Sequence, residues 1–100
     1  MPLLYVAFRE GFDNDRVVAK VNGADAFDQV LRTKTQIGFA GQFELEKDPG
    51  AIRLDVELPD RNQKKSIDLT LEQSPVFVGV NRNRDGNLAF QTSTEPFRYM

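Results

Sequence analysis

The sequence predicts an all-β fold: a single antiparallel β-sandwich of seven to eight strands over residues 1–100, with Greek-key connections and little or no helix. The segments Ile52–Leu58 and Ser66–Glu72 alternate apolar and polar residues, as half-buried strands do. Turn signals recur about every ten residues, which is the spacing of short strands in a sandwich. The 100 residues are 40% apolar, which is enough for one hydrophobic core.

The first two strands are bounded by clear turn signals. Leu3–Phe8 is predicted as a strand that is apolar on both faces, and Gly11–Asp15 as the turn that follows it. Arg16–Val21 is predicted as the second strand. It ends at Asn22-Gly23, a dipeptide that is typical of tight hairpin turns.

The segment Ala24–Lys34 fits two local structures. Phe27, Val30 and Leu31 have helical spacing, yet the segment is short and lies within a chain rich in strands. We predict a short strand followed by a loop, with a one-turn helix as the alternative.

A hairpin is predicted for Phe39–Glu46 and Ile52–Leu58, joined by the loop Lys47–Gly50. Pro followed by Gly suits a type II turn, in which Gly50 would supply the positive φ. A four-residue loop fixes the register of the pair. It sets Leu45 opposite Ile52, Phe43 opposite Leu54 and Glu44 opposite Arg53.

The C-terminal part is predicted to contain the strands Ser66–Glu72, Val76–Asn81 and Leu88–Thr92, with a polar loop at Pro59–Lys65. Arg61, Lys64 and Lys65 make this loop weakly basic, and we interpret it as solvated rather than as a phosphate site.

The turn after Asn81 has two interpretations. Asn81, Asn83 and Asp85 followed by Gly86 imitate the start of a calcium loop, but position twelve holds Thr92 where a bidentate Glu is needed. A three-residue loop, 84–86, instead gives a hairpin with Gly86 in the left-handed position. That hairpin pairs Val80 with Phe90 and Val78 with Thr92. We favour the hairpin.

The composition excludes several classes of function. Without cysteine, disulfides and thiolate metal sites are impossible, and without histidine there is no imidazole base. A net charge of −2 with mixed signs gives no electrostatic reason to expect nucleic acid. No apolar run is long enough to span a bilayer, and the N-terminus lacks the features of a signal peptide. We expect a cytoplasmic, non-enzymatic protein with no cofactor, no metal and no membrane partner.

Charged residues on the outward positions of the central strands form a candidate interaction surface. If these strands are neighbours, they create an acidic sheet face that is relieved chiefly by Arg53 and suits a basic partner. A purely solvated face that discourages edge-to-edge aggregation is the alternative. The acidic residues are Glu44, Glu46, Asp55, Glu57, Asp68 and Glu72.

The first strand, Leu3–Phe8, needs cover on both faces because it is apolar on both. Phe97 and Tyr99 of the C-terminal tail are predicted to supply that cover and, with Tyr5, belong to the candidate interaction surface. The alternative is a homodimer formed through Leu3–Phe8.

One hairpin pattern resembles a known family. The residues Gly41, Phe43 and Leu45, then Pro49-Gly50, then Leu54 and Val56, are similar to a hairpin of transthyretin-like, carboxypeptidase-regulatory-type β-sandwich domains. The resemblance implies a Greek-key sandwich of transthyretin- or immunoglobulin-like type that serves as a non-catalytic accessory or interaction module. It carries no active-site residue over to this chain.

The sequence therefore predicts a non-catalytic protein-interaction or accessory module whose partner is another protein or a second copy of itself. A small-ligand or cation-binding domain is the alternative, and an enzyme based on carboxylates comes third because the acids show no telling spacing.

Overall fold

The computed structural model describes residues 3–33, 38–72, 75–83 and 85–93. Within them the chain forms eight strands and one turn of 3₁₀-helix, so the predicted all-β class is confirmed. The strands are β1 (Leu3–Phe8), β2 (Asp13–Val21), β3 (Ala24–Arg32), β4 (Gly41–Glu46), β5 (Gly50–Leu58), β6 (Gln63–Leu71), β7 (Val76–Arg82) and β8 (Leu88–Ser93), with the 3₁₀ turn at Pro59–Arg61.

The strands form two sheets of four. Sheet A has the order β4-β1-β7-β8, and sheet B has the order β3-β2-β5-β6. Neither neighbour of β1 in its sheet follows it directly in the sequence, so both of its pairings join segments that are distant along the chain. The pair β1–β7 is parallel, and every other strand pair in the described part of the chain is antiparallel.

The core lies between the two sheets and is built from every second side chain of the facing strands. In β1 the side chains of Leu4, Val6 and Phe8 are fully buried, and β5 contributes Leu54 and Val56 from the facing sheet. This is the two-layer solution expected when each sheet has one apolar face.

An aromatic cluster closes the side of the sandwich where the edge strands β3 and β4 meet. The ring of Phe8 lies 5.1 Å from that of Phe27, 6.1 Å from that of Phe43 and 5.9 Å from that of Phe12, centroid to centroid. Phe27 and Phe43 stack at 5.4 Å. Because β3 and β4 belong to different sheets, these rings join the two layers.

The segment Ala24–Arg32 is a continuous strand of nine residues, so the predicted short strand followed by a loop is wrong in its length and the helical alternative is wrong. Phe27 and Leu31 are four residues apart, a spacing that keeps both on one face of a strand as well as on one face of a helix. Val30 instead points outward, with 65% of its surface exposed. The backbone pairing of this segment with β2 makes it a strand and not a helix.

The predicted hairpin between β4 and β5 is wrong. β4 pairs with β1, which sets Leu45 opposite Leu4 and Phe43 opposite Val6. The connection through Gly50, whose φ is +140°, carries the chain from sheet A to sheet B. The inward side chains of β4 and β5 therefore belong to facing layers, and period-two alternation is identical in the two arrangements.

The predicted hairpin between β7 and β8 is confirmed in its register. Val80 pairs with Phe90 and Val78 with Thr92. The Asn83 N–H donates to the Asn87 carbonyl oxygen at 2.8 Å, and Gly86 has φ +89°. Residue 84 lies outside the described residues, and the neighbouring geometry is that of a three-residue loop with a left-handed glycine.

Replacing Gly86 with valine is expected to lower the free energy of unfolding by about 1–3 kcal/mol, because a β-branched residue is strained at positive φ. The loss should be the same with and without calcium, as measured by thermal unfolding. Gly86→Asn is the matched control, since asparagine tolerates the left-handed region. Equal stability of Gly86→Val and the wild type would contradict the assignment.

Candidate functional site

The outward positions of β5 and β6 carry paired charges. Arg53 lies opposite Asp68, and its Nε is 3.2 Å from Oδ1 of Asp55. Lys64 lies opposite Glu57, with 3.8 Å between Nζ and Oε1. Opposite charges on neighbouring strands stabilise a sheet face, so each acid here has a nearby cation.

The same pairing continues across β2 and β3. The Arg16 guanidinium donates two hydrogen bonds to the Asp28 carboxylate, at 3.0 and 2.8 Å. Lys20 Nζ lies 4.0 Å from Oδ1 of Asp25. We call the outer surface of sheet B the charge-paired face. Its ionic residues are Arg16, Lys20, Asp25, Asp28, Arg53, Asp55, Glu57, Lys64 and Asp68.

The candidate acidic residues do not form one surface. Asp55, Glu57 and Asp68 lie on the charge-paired face, where Arg53 pairs with Asp55 and lies opposite Asp68, and Lys64 pairs with Glu57. Glu44 and Glu46 belong to β4 in the opposite sheet, and Glu72 is exposed just after β6. The premise that these strands are neighbours was wrong for β4 because β4 pairs with β1.

The Asp55 carboxylate on the charge-paired face makes stability depend on pH. Hydrogen bonds from the Ser66 hydroxyl and from Arg53 hold the pKa of Asp55 below its usual value. A group whose pKa is lower in the folded chain contributes stability that is present above the unfolded pKa of about 3.9 and is lost as pH falls through the folded pKa.

Urea unfolding measured from pH 7 down to pH 2 should therefore show a loss of stability that begins near pH 4. The Asp55→Asn variant should be less stable at pH 7 and should lose less stability below pH 4. If the free energy of unfolding fell equally steeply with pH in the variant and in the wild type, the Asp55 carboxylate would make no stabilising hydrogen bond in solution.

The outer surface of sheet A has a different character. Tyr5 of β1 and Phe77 of β7 lie side by side in the parallel pair, with stacked rings 5.1 Å apart. Leu3 precedes them on the same face, and Ala7, 7% exposed, follows. We call Leu3, Tyr5, Ala7 and Phe77 the apolar strip. No ion pair between described residues crosses it.

Acidic residues border the apolar strip on its β4 side. Glu44 lies opposite Tyr5, and Glu46 opposite Leu3. A hydrogen bond to the Glu44 carboxylate raises the pKa of the Tyr5 phenol. Tyr5 and Glu44 are thus the two candidate interaction residues that the fold brings together on sheet A. Phe97 and Tyr99, the predicted cover for this face, lie outside the described residues.

Strand β1 has no edge available for pairing. It is hydrogen-bonded to β4 on one side and to β7 on the other. A homodimer through Leu3–Phe8 can therefore form only through the side chains of the apolar strip, and not by backbone pairing.

Several polar contacts at the ends of the sandwich were missed by the sequence patterns. The Thr33 hydroxyl donates to the Arg9 carbonyl oxygen at 2.8 Å and accepts from the Phe12 N–H at 3.0 Å. It joins the end of β3 to the β1–β2 connection, beside an open cleft of about 470 Å³. A single hydroxyl after a strand gives no periodic signal, so only the three-dimensional structure identifies it.

The predicted basic loop is only partly a loop, because Lys64 and Lys65 belong to β6, and its three cations make internal contacts. Arg61 forms an ion pair with Asp15, which is 5% exposed. Lys65 Nζ donates to the Leu88 carbonyl oxygen at 3.0 Å, and Lys64 pairs with Glu57. Each cation of the loop therefore fixes a neighbouring element, which argues further against a phosphate site.

Among the described residues, no group of three or more acidic, histidine or cysteine side chains could hold a metal ion. No helix in that part of the chain is both long enough and apolar enough to cross a membrane. Comparison of the chain with protein-family models, with curated proteins and with solved structures gave no match.

Proposed function

We propose that this chain is a non-catalytic interaction module that binds another protein through the apolar strip of sheet A. The contrast between the two outer faces carries the proposal. Sheet B pairs most of its outward charges with one another, whereas sheet A presents the stacked rings of Tyr5 and Phe77, bordered among the described residues by acidic side chains on the β4 side alone. Aromatic residues dominate the energetics of protein interfaces, and Tyr is enriched among the residues that contribute most.

The charges beside the apolar strip define the partner. Glu44 and Glu46 are exposed along one border, while on the other border Gln91 of β8 accepts a hydrogen bond from the Arg9 guanidinium at 3.4 Å. We therefore expect the partner's surface to have apolar side chains that face the apolar strip, with Lys or Arg side chains where it meets β4. Binding to such a partner should weaken as salt is added.

The titratable groups support a non-catalytic role. The pKa values of Asp28 and Asp55 are lowered by their hydrogen-bonding partners, away from the neutral range in which a general base works best. With no histidine and no cysteine, the chain also lacks the commonest bases and nucleophiles. The absence of cysteine suits the cytoplasm, where we place this module. The transthyretin-like resemblance belongs to the same proposal and agrees with an accessory role.

Photo-crosslinking in cells tests this function. A Phe77→p-benzoylphenylalanine variant places the crosslinker on the apolar strip, and Val18→p-benzoylphenylalanine places it at the centre of the charge-paired face. We expect a discrete protein adduct from position 77 and none from position 18. Both variants must first show cooperative thermal unfolding.

Charge reversal makes the crosslinking specific. Glu44→Lys should abolish the adduct at position 77. Glu72→Lys changes an exposed glutamate just after β6 and should leave the adduct unchanged. Adducts that survive Glu44→Lys, or equal adducts at both crosslinker positions, would overturn the proposal.

A further inference from the structure

Strand β8 has an edge without the usual protection against strand addition. Its sequence, LAFQTS, contains no charged residue, proline or glycine. The other three edge strands carry charges, for example Asp28 in β3, Glu44 in β4 and Asp68 in β6. Charged side chains and proline on an edge strand discourage pairing with other chains. Among the edge strands of the described chain, β8 is the one that lacks them.

The hydrogen-bond pattern identifies the backbone groups on that edge. The Asn83 N–H donates to the Asn87 carbonyl oxygen, so Asn83 and Asn87 are a hydrogen-bonded pair. Hydrogen-bonded and non-hydrogen-bonded pairs alternate along an antiparallel ladder. Ala89 and Gln91 therefore bond to β7, whereas Leu88, Phe90 and Thr92 direct their N–H and C=O groups away from it. Lys65 donates a hydrogen bond to the Leu88 carbonyl oxygen. Among the described residues, this leaves the N–H and C=O groups of Phe90 and Thr92 for pairing with an added strand.

A cleft lies beside this edge. It has a volume of about 510 Å³ and is lined by Leu69, Thr70, Val76, Thr92 and Ser93. Thr92 pairs with the fully buried Val78, so it lies on the inner face of sheet A, yet it is exposed at the sheet margin. A residue added opposite Thr92 would direct its side chain to the same inner face as Thr92, beside this cleft.

We propose that the edge of β8 binds an extended segment of a partner protein by strand addition. The segment pairs with the backbone of Phe90 and Thr92 and places an apolar side chain in the cleft beside Leu69 and Val76. Its residues alternate apolar and polar, because one face of the added strand lies over the core margin and the other faces solvent. This surface is separate from the apolar strip and goes beyond the proposed function.

A free segment fits this edge better than the β8 strand of a second copy. In β8 the inward side chain of Leu88 is 4% exposed and that of Phe90 is half-buried, so both already pack in their own core. A second copy could pair its backbone but could not place these side chains in the neighbouring cleft. A segment without a core of its own can do both.

Peptide selection followed by amide exchange tests the proposal. A library of short linear peptides is selected against the full chain, and the strongest binder is added to the labelled protein. We expect the amides of Phe90 and Thr92 to exchange rapidly in the free chain and slowly with the peptide bound. The amides of Ala89 and Gln91, bonded to β7, should be protected in both states.

Two lysine variants on one strand supply the control. Thr92→Lys places a charge at the inner margin of the edge and should weaken peptide binding at least about tenfold. Gln91→Lys, on the outer face of the same strand, should bind as the wild type does. A selection without binders, or protection confined to Tyr5 and Phe77, would overturn the proposal. So would a peptide-free dimer in which Phe90 and Thr92 are already protected.

Discussion

Replacing Phe8 with alanine should lower the free energy of unfolding by about 3–5 kcal/mol, the usual cost of removing a buried phenylalanine. Phe8 is fully buried and its ring meets three others, those of Phe12, Phe27 and Phe43. The cavity would lie where edge strands of the two sheets meet, so the layers lose a shared contact. Thermal unfolding should show a midpoint lower by well over ten degrees, at about 4–8 °C per kcal/mol.

Phe77→Ala is the matched control for this loss. It removes the same side chain from the opposite face of the same sheet, where the ring is half-buried and stacks on Tyr5. We expect a loss of about 1 kcal/mol, the value of an aromatic pair outside the core. Equal losses for the two variants would show that the Phe8 cluster does not join the sheets.

Gly11→Ala should be nearly as damaging, at roughly 3–5 kcal/mol, because it combines backbone strain with overpacking. Gly11 has φ +91°, and a Cβ there would lie 2.0 Å from the Arg82 carbonyl oxygen. That oxygen is backbone and cannot rotate away. Relief would require breaking the bond from the Arg82 N–H to the Glu10 carbonyl, now 2.8 Å. Chemical denaturation measures the loss.

Gly23→Ala separates the two causes of that loss. Gly23 has φ +81°, close to that of Gly11, but a Cβ added there would meet no atom within 4 Å. The substitution should cost about 1–2 kcal/mol, which is the penalty of the left-handed conformation alone. If both variants lost the same amount, the close approach to Arg82 would contribute nothing.

Alternation and turn chemistry were sufficient to predict most of the strands and their inner faces. They were wrong at the starts of β2 and β6, where Asp13–Asp15 and Gln63–Lys65 were assigned to a turn and a loop. The period-two pattern of Ile52–Leu58 places every second residue in the core, as predicted. The β7–β8 register was also predictable, because Gly86 is needed at one position of a three-residue loop. Alternation within a strand and the glycine requirement of a short turn are local properties, so they can be predicted from the sequence.

Strand neighbours could not be predicted in the same way. Phe43 and Leu54 both point inward, and alternation cannot distinguish side-by-side strands from strands that face each other across a core. This ambiguity misplaced Glu44 next to Arg53 and produced a single acidic face that the fold divides between two sheets. The tyrosine–glutamate contact of Tyr5 with Glu44 depends on the same long-range pairing, so no short-range pattern could reveal it.

The parallel pairing of β1 with β7 also sets the order in which the chain can acquire its structure. All four strands of sheet B precede β7 in the sequence, and β2–β3 and β5–β6 are adjacent hairpins that can form locally. A contact between segments that are distant in sequence costs loop-closure entropy before it contributes any stability. Sheet A contains the long-range β1–β7 pair, so it should be completed last and slowly. Until β7 emerges during synthesis, Leu4, Val6 and Phe8 lack one of their two strand neighbours. The nascent chain therefore exposes its most apolar strand for longest, a state that chaperones recognise and in which aggregation competes with folding.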